Sequence, residues 1–249
     1  LKPLFAPPAE FAHDHGEFRS PLLFEDGRKV SSPAEWQTRR EEILETWNAH
    51  LGAWPDLITE PELEILESVK IENFTRHKVR FLWTPTAKTT GYLLIPENES
   101  KKPLPAVLTV FYEAETAVGL KKENRDFAYQ LARRGFVTLS IGTTEASEAK
   151  EYSLYWPSIE NATVEPLSML AYAAANAWYV LASRPEVDPS RIGVVGHSFG
   201  GKWAMFASCL FDKFACAVWS DPGIVFDTRP SVNYWDCLLY TSDAADERI

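Results

Sequence analysis

The chain has 249 residues, 45% of them hydrophobic, and a formal net charge of −10. That size and apolar content suffice for one sizeable core with an appendage, and no apolar run approaches the ~20 residues that a bilayer-spanning helix needs. The negative charge speaks against nucleic acid or an anionic membrane as partner, because either would repel it.

The chain begins Leu1-Lys2-Pro3 without a methionine, so a missing or processed start is expected, and periplasmic, secreted and cytoplasmic locations all stay open. Residues 1–19, with their prolines and the pair His13 and His15, read as a loosely ordered lead-in. An H-x-H pair alone is too little for a metal site, and no metal or cofactor is expected. Ser32-Pro33-Ala34-Glu35 is a capping-box opening with proline at the first helical position, and Trp36, Ile43, Leu44 and Trp47 follow at helical spacing. A helix is therefore predicted to about His50, ended by Gly52 and Pro55, with its apolar stripe packed against the rest. From Glu64 the period changes to two, so residues 66–74, 77–84 and 90–96 read as consecutive antiparallel strands joined by short turns, with His77 on the surface.

After Pro103-Leu104-Pro105, residues 106–112 form the first all-apolar strand. A loop over 113–119, a helix to Arg134, a strand over 135–141 and a long polar loop follow. An alanine-rich helix over 167–183 precedes a further strand, and residues 215–220 read as another buried one. Cys209 and Cys216 lie in apolar surroundings and are expected in the core. With Cys237 they show neither metal-ligand spacing nor a disulfide framework. The triplets that open at Asn73, Asn98 and Asn161 match the glycosylation pattern, which is common by chance. Strands alternating with helices predict an α/β fold with a doubly wound, mostly parallel sheet that takes its ligand at the carboxyl ends of the strands. The expected division is an extension over 1–60 carrying the one helix, then the α/β domain from 61.

The most informative stretch runs from Arg191 to Trp203, R-I-G-V-V-G-H-S-F-G-G-K-W. Residues 192–195 suit a buried strand, and the run after Gly200-Gly201 opens a helix. Between them, Gly196-His197-Ser198-Phe199-Gly200 fits G-x-S-x-G. A strand that turns into a helix within so few residues forces the central serine into a strained backbone, and the flanking glycines remove the Cβ atoms that would clash. Ser198 is thereby predicted to stand exposed at the end of the sheet as a nucleophile.

The run R-P-E-V-D-P-S-R-I-G-V-V-G-H-S-F-G-G, residues 184–201, resembles the serine esterases of the α/β-hydrolase superfamily, particularly bacterial esterases related to dienelactone hydrolases and to the acetyl xylan and glucuronoyl esterases. The segment Asp26-Gly27-Arg28-Lys29-Val30, with Glu35-Trp36 and Arg39-Arg40, is similar to the N-terminal part of the same esterases, and the likeness runs from about residue 20 to 236. It implies an α/β-hydrolase fold and an acyl-enzyme mechanism with Ser198 as nucleophile. It places one oxyanion donor at the Phe199 N–H and a second on the loop after the 106–112 strand, at Tyr112 or alternatively Glu113. Family members often carry His-Gly where Phe111-Tyr112 stands here. The family order is serine, acid, histidine, yet His13, His15, His50, His77 and His197 all precede Ser198. His197 cannot turn onto its neighbour's hydroxyl and reads as a packing or orienting residue.

That absence accords with the run from Cys237 to Glu247, which looks like an in-frame translation of a sequencing adapter. A non-native tail over 237–249 and the loss of the last strands with the base are therefore expected, the alternative being a genuine short polar terminus. The glucuronoyl-esterase elbow resembles S-R-x-G-K, so Lys202 is read either as a contact for sugar hydroxyls or as a first-turn helix residue reaching solvent. Phe199 replaces the arginine of that pattern. Glu113, Glu115 and Glu145 are loop carboxylates at the expected active face. Asp221, at the end of the strand after the elbow helix, is either the acid that orients the base, as in glucuronoyl esterases, or the start of the turn that Pro222-Gly223 completes. The reading is a serine carboxylic-ester hydrolase for acylated carbohydrate or a similar small ester, inactive without its base. Its rivals are a prolyl-oligopeptidase type of peptidase and a non-catalytic hydrolase-like binding protein.

Overall fold

The computed structural model describes residues 9–12, 19–100, 102–121, 124–143, 156–158 and 160–222, in two compact units, 1–50 and 51–249. The first unit is built on helix α1, Pro33–Leu51. At its start the Glu35 N–H donates to Ser32 Oγ at 3.2 Å, as the capping box predicts, while the Glu35 carboxylate reaches one residue further back and accepts from the Ser31 N–H at 2.7 Å. Arg39, 6% exposed, donates to Glu25 and Glu42, both at 2.8 Å, and to the Pro21 carbonyl. A nearly buried guanidinium is tolerable because it is paired and hydrogen-bonded. The predicted stripe is only partly covered: Trp36, Ile43 and Leu44 are half-buried and Trp47 is exposed.

The second unit is a seven-stranded sheet with β1 (Glu64–Ile71), β2 (Phe74–Leu82), β3 (Lys88–Pro96), β4 (Leu104–Phe111), β5 (Val137–Gly142), β6 (Val187–His197) and β7 (Cys216–Ser220), in the order β1-β2-β3-β5-β4-β6-β7. The pairings from β1 to β5 are antiparallel and those from β5 to β7 parallel. This is the expected fold class, with the antiparallel part as extensive as the parallel part among the described residues. The chain crosses from β4 outward to β5 and then back past β4 to β6, so the strand order reverses beside β4, where the carboxyl ends open a crevice.

Four sequence expectations need correction. The first hairpin turns at Glu72-Asn73 rather than after Phe74, because Glu72 adopts φ 46° and the Asn73 side chain donates to the Arg133 carbonyl. Such a long-range bond leaves no local sequence signal. In place of one helix to Arg134 there are two short ones, α2 (Ala114–Ala117) and α3 (Phe127–Ala132), and a turn closing at Gly119, φ 79°, ends the first. The 215–220 strand is not buried: β7 is the outermost described strand, with Val218 58% and Trp219 46% exposed. Cys216, the first residue of β7, and Cys209, on the helix over 199–210, are exposed rather than in the core.

Helix α4, Pro166–Ala182, is buried over almost its whole length. One side faces the sheet. On another, Ser168, Tyr172 and Asn176, spaced four residues apart and hence on one face, receive the extended segment after α1. Trp54 Nε1 donates to Ser168 Oγ at 2.7 Å, the Tyr172 hydroxyl to the Asp56 carbonyl at 2.7 Å, and the Ile58 N–H to Asn176 Oδ1 at 2.9 Å. Asn176 also donates to the Trp83 carbonyl at 2.9 Å, which ties helix, strap and the end of β2 together. These bonds let polar groups lie inside a helix that otherwise reads as uniformly apolar.

Candidate active site

The site is assembled where β6 ends and helix α5, Phe199–Leu210, begins. The fully buried Ile192 and the nearly buried Val194 anchor β6 between β4 and β7. Ser198 then takes φ 56°, ψ −120°, a combination that a non-glycine residue adopts only under constraint. The constraint is legible at the two elbow glycines. A Cβ on Gly196 would lie 1.9 Å from the Gly200 carbonyl oxygen, and one on Gly200 would lie 2.0 Å from the Val110 carbonyl oxygen of β4. The elbow thus folds on itself and seats on the end of the central strand, and both positions exclude any larger residue.

The Ser198 N–H donates to the Ser220 carbonyl at 2.8 Å and its carbonyl accepts the Lys202 N–H at 3.1 Å, while its hydroxyl makes no capping bond to α5. The nucleophile's own amide is therefore committed, and oxyanion donors have to come from neighbouring amides. The Phe199 ring, 2% exposed, points into the core, stacks on Tyr112 at 4.7 Å and 26°, and lies 6.1 Å from Trp203. Tyr112 directly follows β4, packs edge-on against Phe111 at 5.1 Å, and its carbonyl accepts the Thr143 N–H at 2.7 Å. The structure therefore brings Ser198, Phe199 and Tyr112 together at the carboxyl ends of β4 and β6.

Lys202 is 8% exposed, which overturns the reading of a first-turn lysine extended into solvent. His197 is turned to the neighbouring strand, its Nδ1 3.1 Å from Ser220 Oγ. His77 lies on β2, four strands from β6, with its Nδ1 2.7 Å from Ser68 Oγ, and burial holds its pKa below the ordinary histidine value. Neither serves Ser198 as base; His50 belongs to the first unit, and His13 and His15 lie outside the described residues. Asp221 is exposed, at φ 50°, next to Ser220 at the end of β7. The Glu113 carboxylate accepts from the Thr116 hydroxyl at 3.1 Å, and Glu115 Oε2 is buried near Tyr92, whose hydroxyl pKa is raised by burial and then by the Glu115 charge. Glu145 and the 237–249 tail lie outside the described residues. Among the described residues no cluster of histidine, cysteine and carboxylate side chains could hold a metal ion.

Sequence reasoning missed Ser220, which touches both His197 and Ser198. Only the parallel register His197↔Ser220 brings it there, and no local motif encodes that register.

The model of the Dienelactone hydrolase family matches residues 89–223, more than half of the chain. The chain belongs to the dienelactone hydrolase family. The matched segment carries β4, the elbow and β7, so the family relation rests on the part that builds the crevice. No curated protein matches this family member. Among solved structures it is similar to a glucuronoyl esterase from Solibacter usitatus, with 19% identity and a TM-score of 0.62 over 80% of this chain and 62% of that one. A CE15 glucuronoyl esterase from Teredinibacter turnerae also gives 19% and 0.62, over 83% and 56%. A Bacteroides fragilis protein provisionally assigned as an acetyl xylan esterase gives 19% and 0.57, over 80% and 64%. These likenesses show the α/β-hydrolase fold. The dienelactone hydrolase family member spans about three fifths of the length of the structures it resembles.

Proposed function

We propose that the protein is a serine carboxylic-ester hydrolase. Ser198 Oγ attacks the ester carbonyl and its proton passes to a base. The tetrahedral oxyanion is held by the Phe199 and Tyr112 N–H groups, the alcohol leaves, and water releases the acyl group from Ser198. No cofactor takes part. The observation that carries the reading is the strained Ser198 at φ 56°, uncapped, on a turn seated against β4. Asp221 is proposed as the acid that orients the base, since it emerges at the end of the strand beside the nucleophile's. Lys202 is proposed as a substrate contact because it lies in the first turn of α5, four residues after Ser198, and is covered rather than extended into water.

The substrate proposed is an acylated carbohydrate or a similar small ester. Structural relatives described as glucuronoyl and acetyl xylan esterases support a carbohydrate ester. Phe199, apolar and turned inward, stands where the glucuronoyl-esterase elbow pattern has arginine, which weakens the case for a uronate substrate. Among the described residues of the second unit neither His197 nor His77 is placed to serve Ser198, so imidazole offered in solution as an external base tests the nucleophile directly. Hydrolysis of p-nitrophenyl acetate by the wild-type chain should rise with imidazole in excess of the Ser198→Ala chain, with an acetyl adduct on Ser198 detectable by mass spectrometry. Identical rates for the two chains at every imidazole concentration, with no adduct, would refute the proposal.

A further inference from the structure

We infer that Ser220 is a positioning residue for the nucleophile elbow, an inference that rests on the esterase reading of Ser198. A residue held in a sparsely populated backbone region persists only where its surroundings over-determine it. Two of the ties at this elbow come from one residue on β7. The Ser220 carbonyl accepts the Ser198 N–H at 2.8 Å, and the Ser220 hydroxyl lies 3.1 Å from His197 Nδ1. The pairing His197↔Ser220 is the last rung of the parallel ladder between β6 and β7, so this residue fixes the point at which the chain leaves the sheet and enters the turn. The same residue hands the chain to Asp221 at φ 50°. Main chain alone could supply the first tie. The second requires a hydroxyl, and a hydroxyl at 220 is what keeps the His197 ring on the β7 side, away from the space over Ser198. Ser220 thus acts through His197 and Ser198 and does not touch the reacting ester.

Ser220→Ala keeps the carbonyl and deletes the hydroxyl, and Ser220→Thr restores a hydroxyl. The readout is phosphonylation of Ser198 by a fluorophosphonate probe in the presence of imidazole, resolved into KI and kinact, together with the melting temperature and amide hydrogen exchange of the peptide spanning 196–203. Ser220→Ala is expected to lower kinact about fivefold, equivalent to the ~1 kcal/mol of one net hydrogen bond. KI should be unchanged, the melting temperature should fall by no more than the ~2–4 °C that one such bond is worth in a unit of this size, and exchange should be faster in that peptide alone. Ser220→Thr should recover the rate, His197→Ala should reproduce the loss, and the double variant should lose no more than either single one. Unchanged kinact and exchange in Ser220→Ala would overturn the inference. So would a loss accompanied by a melting temperature lowered well beyond that and by faster exchange across the sheet, or a failure of the Thr variant to recover. A wild-type Ser198 that does not label above Ser198→Ala would instead count against the esterase reading, and the exchange of the 196–203 peptide would then decide the role of Ser220 by itself.

Discussion

Gly200→Ala is the substitution whose effect the structure sets most sharply. The added Cβ would fall 2.0 Å from the Val110 carbonyl oxygen, 3.0 Å from its carbon and 3.3 Å from Phe111 Cα, where ordinary contact begins at 3.4 Å. The elbow and β4 would therefore have to part by about 1.4 Å. Val110 pairs with Ile141 on one side and Gly196 on the other, so β4 cannot yield without losing ladder bonds on both edges. Overpacking of this kind costs about 1–3 kcal/mol and occasionally more, and a rigid main-chain obstacle puts Gly200→Ala at the upper end. For a unit of this size each kcal/mol lowers Tm by about 2–4 °C, which gives an expected fall of about 6–12 °C. Gly135→Ala is the control: φ is 88°, but nothing lies within 4 Å of the added methyl, so only left-handed strain of about 1–2 kcal/mol remains. Circular dichroism melts of the two variants, with imidazole-dependent turnover at Ser198 alongside, make the comparison. Gly200→Ala should melt lower than Gly135→Ala and lose turnover, whereas Gly135→Ala should keep it. A Gly200→Ala chain that melts no lower than the control would show that the elbow is not seated on β4 as described.

Asn176→Ala should lower stability by about 2–5 kcal/mol, read as a lower urea midpoint at constant m, because it strands the Ile58 N–H and the Trp83 carbonyl at a fully buried position. The pKa of His77 is depressed first by burial and then by the Arg184 charge, against a smaller opposing pull from Glu186. The folded state therefore binds that proton less readily than the unfolded chain. Its contribution is complete above the unfolded value of 6.5 and is lost as pH falls below it, so His77→Gln should flatten the stability profile between pH 7 and 5. In a Cys237→Ser background, native chain should react with two equivalents of a thiol reagent without prior unfolding, at the exposed Cys209 of α5 and Cys216 of β7; slow reaction of Cys216 until unfolding would contradict the exposed placement of β7.

The sequence determined the chemistry-bearing turn and the class of the fold. G-H-S-F-G between an apolar strand and a helix dictates the elbow because the constraint is local: five residues, two without Cβ, leave one way for the chain to turn. The capping box at Ser32 and Glu35 is legible for the same reason, since both partners lie within one helical turn. The β-period before residue 96 and the apolar runs after it likewise express burial that each strand meets by itself. What the tertiary structure decided is everything that depends on register and neighbours. The turn at Glu72 is fixed by a bond from Asn73 to Arg133, sixty residues away. Residues 215–220 are as apolar as a buried strand, yet they stand exposed because position in the sheet, not composition, decides what covers a strand. Lys202 is covered although a first-turn lysine ordinarily reaches water. Ser220 became part of the elbow only through its place opposite His197, and parallel register is set by the packing of whole strands rather than by any residue's neighbours along the chain.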